Sequence, residues 1–550
     1  MCPRCDKKCD YFPLHETCGY SRAAYVFDNE FTVVFAVFMS LWSTMFLEFW
    51  KRRQVEIAYN WDLLGFEDEE ETIRPEYEVV CSETRNNPIT QVQEPYYPKF
   101  MKCPRFVCST ASVLLMICLV ITAVFGVIIY RVAVFAALTA SRNDNVSTIS
   151  LTVTATAALI NLVIILLLSY VYERLAYLLT DMEIPRTQSN YEDSFTMKMY
   201  LFQFVNYYSS LFYIAFAKLN PGRPGEYNRI FGFRQEECNA AGCLIELTIQ
   251  LAIIMVGKQV FNAAMELLVP KLMNWWNRRG NILKKFRGEE VQDDSGPSSN
   301  LQWEADYYLT PIPRNALFYE YLEMVIQFGF ITIFVAAFPL GPLFALLNNL
   351  VEIRLDAYKF ITTYRRPRAA RAEDIGIWYN ILKGVAIFSV LVNGFVIAFV
   401  SEFIPRLYFK WGKGKDGSLE GYLDTSLSCF DIRNYPENEK PNSNFSRFME
   451  NGCGLGLETC RYRGYRDKPM SLSENPYGNR TNNYDFTKDY WHILSAQLFF
   501  VIAFLIVVFG LTFILAYIIP DKPRRLHNQI KREAFLAKNI LRADHATMSN

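Results

Sequence analysis

Nine stretches of this chain are apolar over close to 20 residues each, the length that crosses a bilayer as one helix. They run at roughly 31–50, 107–130, 151–172, 199–217, 243–268, 317–337, 341–361, 377–402 and 493–518. In hydrocarbon a backbone has to satisfy its own N–H and C=O groups, and a helix does this within a single segment. The fold class expected is therefore an all-α polytopic transmembrane helical bundle. The apolar share of the whole chain, 51%, would be ordinary in a soluble protein, so the gathering into runs carries the argument. Pro339 and Pro342 in FPLGP separate the sixth run from the seventh and predict a tight helical hairpin there.

Charge flanks set the orientation. Asp28 and Glu30 precede the first run and Lys51, Arg52 and Arg53 follow it, which places residues 1–30 outside and residue 51 in the cytosol. An odd number of crossings then puts the C-terminus in the cytosol. The basic clusters NRRGNILKKFR (277–287), YRRPRAAR (364–371) and KPRRLHNQIKR (522–532) all fall inside on this reading. The sequons at Asn145, Asn444 and Asn479 all fall outside and are expected to accept glycans.

The cysteines divide in the same way. Cys2, Cys5, Cys9, Cys18, Cys238, Cys243, Cys429, Cys453 and Cys460 fall outside, where an oxidising medium favours disulfides. Cys81, Cys103, Cys108 and Cys118 fall inside or within a run. The spacing Cys2-x2-Cys5-x3-Cys9-x8-Cys18 also resembles a zinc set, but its external placement favours bridges. Residues 1–30 thus read as an extracellular Cys-rich loop, polar enough to rule out a cleavable signal peptide. Residues 403–490 read as a long external loop rich in Asn, Gly and Tyr, and 519–550 as a cytosolic helical tail.

Net charge is zero, which offers no basic face to nucleic acid. No P-loop, GxGxxG, HExxH or GxSxG is present and there are only four His, so no enzyme class is indicated.

Six polar side chains interrupt the apolar runs at one depth: Asn262 and Glu266, Glu320 and Glu323, and Glu352 and Asp356. Each pair is spaced i,i+3 or i,i+4 and so shares one helix face. A charge in hydrocarbon costs about 2.5–3.5 kcal/mol on insertion scales, so such a cluster requires a partner. Hard oxygen ligands in this number suit Ca²⁺, and two ions would offset most of the charge on five carboxylates. Asn348 extends the stripe on the seventh run. Without metal the acids repel one another, which makes the cluster a sensor. The fifth run is the mobile element, because Gly257 lies within it and Pro270 ends it. A plainer alternative is that the acids reach out to water, or pair with Arg354, Lys258 or Lys359. The alignment of three pairs at one depth favours the metal.

The third, fourth and fifth runs carry polar residues, among them Thr156, Gln203, Asn206 and Gln250. These would line a furrow for an anion or a lipid headgroup, or else join helices by hydrogen bonds. Lys258 would draw anions at the inner end of the pathway.

Several strings resemble the anoctamin family of Ca²⁺-activated chloride channels and phospholipid scramblases. They include FVNYYSSLFYIAFAK (204–218), RPGEY (223–227), EECNAAGCLIEL (236–247), EYLEMVIQFGF (320–330) and FPLGPLFALLNNLVEIRLDAYKF (338–360). RPRAARAEDIGIWYNIL (366–382) and CRYRGYRD (460–467) also match. The resemblance implies ten transmembrane helices behind a cytosolic N-terminal domain, and a homodimer with one pathway per subunit. The nine runs would be the second to tenth of those helices, with Asn262, Glu266, Glu320, Glu323, Glu352 and Asp356 as the Ca²⁺ ligands. The chain departs from the family by starting in what would be the first external loop. It departs again at IPDKPRR, where Asp521 matches a peripheral Ca²⁺ site and Arg525 replaces an expected acid.

The function expected is Ca²⁺-activated passive transport of chloride, phospholipid or both, in the plasma membrane or the endoplasmic reticulum. The alternative is a Ca²⁺-binding membrane scaffold or tether with no pathway of its own. An ion-coupled transporter would hold its acids nearer the midplane.

Overall fold

Where they are described, the apolar runs are helical in a computed structural model of the chain. It describes residues 1–3, 11–69, 71–81, 83–86, 91–141, 146–218, 222–225, 229–230, 233–234, 237–238, 242–257, 268, 309, 311–312, 316–367, 369–414, 417–436, 453, 459–469 and 484–548. The principal helices are α1 (Glu30–Asn60), α2 (Lys99–Ser141), α3 (Val146–Glu183), α4 (Gln188–Phe212), α5 (Leu244–Gly257) and α6 (Ala316–Ile333). They continue with α7 (Gly341–Tyr358), α8 (Ile377–Phe395), α9 (Phe403–Gly412), α10 (Lys488–Ile518) and α11 (Arg524–Met548). Among the described residues, five segments are long and apolar enough to cross a membrane: α1, Lys99–Tyr130 of α2, α6, α8 with the turn that follows it to Val400, and α10. Short polar side chains open several of these helices. Asn29 accepts a hydrogen bond from the Phe31 amide at 2.9 Å, and Thr187 and Thr487 cap α4 and α10 in the same way.

α7 is turned inside out relative to a helix in water. Leu343, Leu346, Leu347, Leu350, Val351 and Ile353 are exposed, whereas Ala345 and Glu352 are buried and Asn348 is half-buried. Lipid is the natural neighbour of such an apolar face, and the polar stripe turns inward to find partners.

α6 and α7 are joined by a turn that buried polar groups hold in place. Asn393, fully buried in α8, accepts from the Ala336 amide at 3.1 Å and donates to the carbonyls of Thr332 and Ser389 at 2.6 and 2.9 Å. The Thr248 hydroxyl of α5 donates to the Ala337 carbonyl at 2.7 Å. Backbone groups that a helix end leaves unpaired are thus satisfied from two neighbouring helices. α4, α7 and α8 each run on into a π-helical turn, at Tyr213–Ala217, Lys359–Thr363 and Val396–Val400.

Strands are few. β1 (Glu83–Asn86) pairs with β2 (Gln93–Tyr96), β3 (Arg229–Ile230) with β4 (Phe233–Arg234), and β5 (Leu427–Asp431) with β6 (Thr459–Arg463), all antiparallel. In the last pair Phe430 lies opposite Cys460. Cys460 bonds to Cys2, and the Cys2 amide donates to the Arg461 carbonyl at 2.8 Å, so the start of the chain lies along β6. The long loop 403–490 therefore contains a strand pair, which Cys429–Cys453 also braces. Cys238–Cys243 lies at the same end, where Gly242 approaches Arg463 of β6. Asp28 fastens α1 to this end, accepting from Arg406 at 2.6 Å and from the Glu402 amide at 2.9 Å.

The opposite end of the bundle is held by hydrogen bonds and ion pairs. Glu373 accepts from the Gly65 amide at 3.0 Å, Asp193 from the Ile377 amide at 2.9 Å, and Glu71 from the Ser189 amide at 2.8 Å. Lys51 pairs with Asp521 at 2.8 Å, and Tyr59 bonds to Glu533. Cys18, counted with the external cysteines expected to bridge, is an exposed free thiol; Cys81, Cys103, Cys108 and Cys118 are free as well. Cys5 and Cys9 and the three sequons lie outside the described residues.

Candidate cation site

The hairpin of α6 and α7 sets their acids side by side. Glu320 of α6 and Glu352 and Asp356 of α7 each bring a carboxylate oxygen to within 4.8 Å of the others. Spacing on the helices explains the convergence: Glu352 and Asp356 are one turn apart on the inward stripe of α7. Asp356 Oδ1 is buried and accepts no hydrogen bond, and its near neighbour is the Lys359 ammonium, 3.0 Å away as an ion pair. Lys359 Nζ also lies 2.5 Å from Glu320 Oε1. The alternative in which Lys359 pairs with the acids is therefore realised for two of them. Arg354 is exposed on another face of α7.

Glu323 is not in this group of three. It lines a neighbouring cavity of about 20 Å³, with Ile254 and Met255 of α5, Gln327 of α6, and Phe344 and Asn348 of α7. That volume holds about one water or a small ion. Gln327 closes the space by donating to Asn349 at 2.6 Å and accepting from Asn348 at 2.8 Å. Gln327 was not singled out from the sequence, although it follows Glu323 at i+4 and so shares its face. Asn262, Glu266 and Lys258 lie outside the described residues. Gly257, the last described residue of α5, has open space where a side chain would go.

The residues present fit a hard divalent cation. Oxygens within 4.8 Å of one another can share one ion at Ca–O distances of about 2.3–2.6 Å. Asp356 Oδ1, buried and without a hydrogen bond, already draws positive charge in the form of the Lys359 ammonium 3.0 Å away. A larger cavity of about 870 Å³ lies at the disulfide-bearing end, walled by β6, α9 and α10, away from these acids.

Among the residues expected to line a furrow, Gln203 and Asn206 are buried in the bundle, and both polar side-chain atoms of Asn206 lack a hydrogen bond.

Helices long and apolar enough to span, with a group of carboxylates gathered at the α6–α7 interface, define a helical membrane protein. A family model described as "Anoctamin: Calcium-activated chloride channel" matches residues 11–533, and the chain belongs to the anoctamin family. It is 48% identical to Anoctamin-4 of Bos taurus over 98% of this chain and 58% of that protein. It is 46% identical to Anoctamin-3 of Homo sapiens over 98% of this chain and 53% of that one. Anoctamin-5 of Homo sapiens is 43% identical, with 98% and 58% covered. The chain spans rather more than half the length of the relatives it matches.

Proposed function

We propose that this chain forms the membrane bundle of a Ca²⁺-activated passive pathway for chloride, phospholipid or both. The observation that carries the reading is the convergence of Glu320, Glu352 and Asp356 within 4.8 Å at the α6–α7 interface. Asn262 and Glu266, beyond Gly257, complete the set from the fifth run, and Glu323 with its adjoining cavity supplies a second position, giving two ions per subunit. Bound Ca²⁺ would neutralise these carboxylates and link the helices that bear them. In its absence their mutual repulsion acts on the fifth run, which Gly257 allows to bend because a Cβ there would meet none of the described residues within 4 Å. Lys258 draws anions towards the inner mouth.

The disulfide-bearing end is the exterior and the opposite end is cytosolic. The three described disulfides all lie at the first, and the free Cys81 lies towards the second. N-glycans on Asn145, Asn444 and Asn479 test this orientation, and cytosolic labelling of any of the three reverses it. The chain works as a homodimer in the plasma membrane or endoplasmic reticulum, with the apolar face of α10 towards lipid or partner.

The burial of Gln203 and Asn206 favours a second reading, a Ca²⁺-binding scaffold with no pathway of its own. Purified protein in liposomes separates the two. Chloride flux and fluorescent-lipid scrambling are measured together against Ca²⁺, beside Glu323→Gln. Activity that the substitution moves to higher Ca²⁺ supports the pathway and identifies its cargo. Bound Ca²⁺ with neither flux nor scrambling supports the scaffold.

A further inference from the structure

We infer that Lys359 is a tethered cation that competes with the divalent ion for the carboxylates of Glu320 and Asp356. The inference rests on the cation-site reading above and concerns the regulation of that same site.

Three features carry it. The first is position. Lys359 lies three residues after Asp356, on the same side of the helix, and opens the π-helical turn Lys359–Thr363. The second is contact. Its Nζ lies 2.5 Å from Glu320 Oε1 and 3.0 Å from Asp356 Oδ1, so one ammonium joins α6 to α7 just as a shared metal would. The third is burial. The residue is only 9% exposed, an uncommon state for a lysine and one that its carboxylate partners sustain.

The ammonium and a metal cannot share this space. Ca²⁺ holds oxygens at about 2.3–2.6 Å, and the ammonium already stands 2.5 and 3.0 Å from one oxygen each of Glu320 and Asp356, two of the three carboxylates the ion would need. The two cations also differ in charge. A single ammonium offsets one carboxylate of the three, whereas a divalent ion offsets two and gathers more oxygens. The divalent ion therefore wins at sufficient concentration, but it first has to displace a partner whose local concentration is fixed by the chain. Lys359 thereby raises the Ca²⁺ level at which the site fills, and keeps α6 and α7 bridged below that level. Filling the site frees a buried lysine from its carboxylates.

The full chain, purified in detergent, is titrated with Ca²⁺ and pulsed with the N-hydroxysuccinimide ester of acetate. Acetylation of Lys359 is read by mass spectrometry, and Ca²⁺ binding by calorimetry on the same samples. Competition predicts that acetylation rises several-fold, with the same midpoint as binding. It also predicts that Lys359→Met, which keeps the alkyl stem, binds Ca²⁺ about tenfold more tightly. Acetylation that stays flat while Ca²⁺ saturates overturns the inference, and needs no variant that might misfold. An unchanged or weaker affinity in a folded Lys359→Met overturns it too. Failure of the site itself looks different: no binding in the unaltered chain, or binding indifferent to Glu352→Gln.

Discussion

The hydroxyl of Tyr208 occupies the space that a side chain at position 329 would need. A Cβ on Gly329 would lie 2.0 Å from Tyr208 Oη and 2.9 Å from Cζ. The same hydroxyl donates to the Ile326 carbonyl at 2.7 Å, and Tyr208 is only 1% exposed. The bare backbone at Gly329 lets α4 and α6 close on each other, a use of small residues that recurs between membrane helices.

Gly329→Ala should therefore force α4 and α6 apart. The cost expected from overpacking is about 1–3 kcal/mol. Thermal unfolding in detergent should show a lowered midpoint, and adding Tyr208→Phe should recover part of the loss by removing the nearest atom. A Gly329→Ala protein that melts like the parent would refute the packing argument.

Asp28→Ala should loosen the disulfide-bearing end. Asp28 is 4% exposed and serves both the Arg406 guanidinium and the Glu402 amide. Deleting one partner of a buried pair leaves the other charge stranded, at a cost of about 3–5 kcal/mol. The double variant with Arg406→Ala should lose less than the two single losses together. Strict additivity in unfolding measurements would mean the pair is not coupled.

Gly257→Ala should fold normally, because the added methyl meets nothing within 4 Å. It should also stiffen α5, by about 1 kcal/mol of helix propensity. If the fifth run bends there, the Ca²⁺ dose–response of flux or scrambling moves to higher concentration while binding to the acids persists. An unmoved dose–response would assign the bend elsewhere.

The loop around Glu67 should respond to pH near neutrality. Burial first, and then the charges of Asp374, Glu373, Glu71 and Asp193, push its carboxyl from 4.5 up to about 7. A raised acid pKa means that the folded loop holds a proton which the unfolded chain has released. The loop is accordingly firmest on the acid side of that value and loosens as pH rises through about 7. The amides of Gly65 and Glu67, which donate to Glu373 at 3.0 and 3.3 Å, should exchange hydrogen faster at pH 8 than at pH 6 after correction for intrinsic rates. Glu67→Gln should flatten that dependence, and a loop equally protected in both buffers would contradict it.

Helix-forming runs and their acids could be read from the chain because both signals are local. Bilayer length is a property of one segment, and a spacing of four residues sets Glu352 and Asp356 on one face whatever the neighbours do. Facing directions were harder. Gln203 and Asn206 are polar, but the helices packed around α4 decide that they turn inward. The β5–β6 pair was missed because its strands are far apart in sequence, and Cys2, which bonds to β6, comes from the other end of the chain. Asn393 could have been found: a lone asparagine in the eighth run has to satisfy itself, and it does so on the α6–α7 turn. Lys359 was legible as a partner for the acids, but its contact with both helices was not.

Every covalent tie among the described residues lies at one end of the bundle, and the acids lie towards the other. Thr248 and Asn393 hold the α6–α7 turn near the tied end. The arrangement is that of a pair of tongs. Asp356 lies about 22 Å along α7 from Gly341, so a tilt of about 5° at the turn displaces its carboxylate by about 2 Å. A displacement of that size is close to a whole Ca–O bond length of about 2.3–2.6 Å. On the proposed reading of the site, the handles can thus stay nearly still while the jaws open and close by the width of an ion.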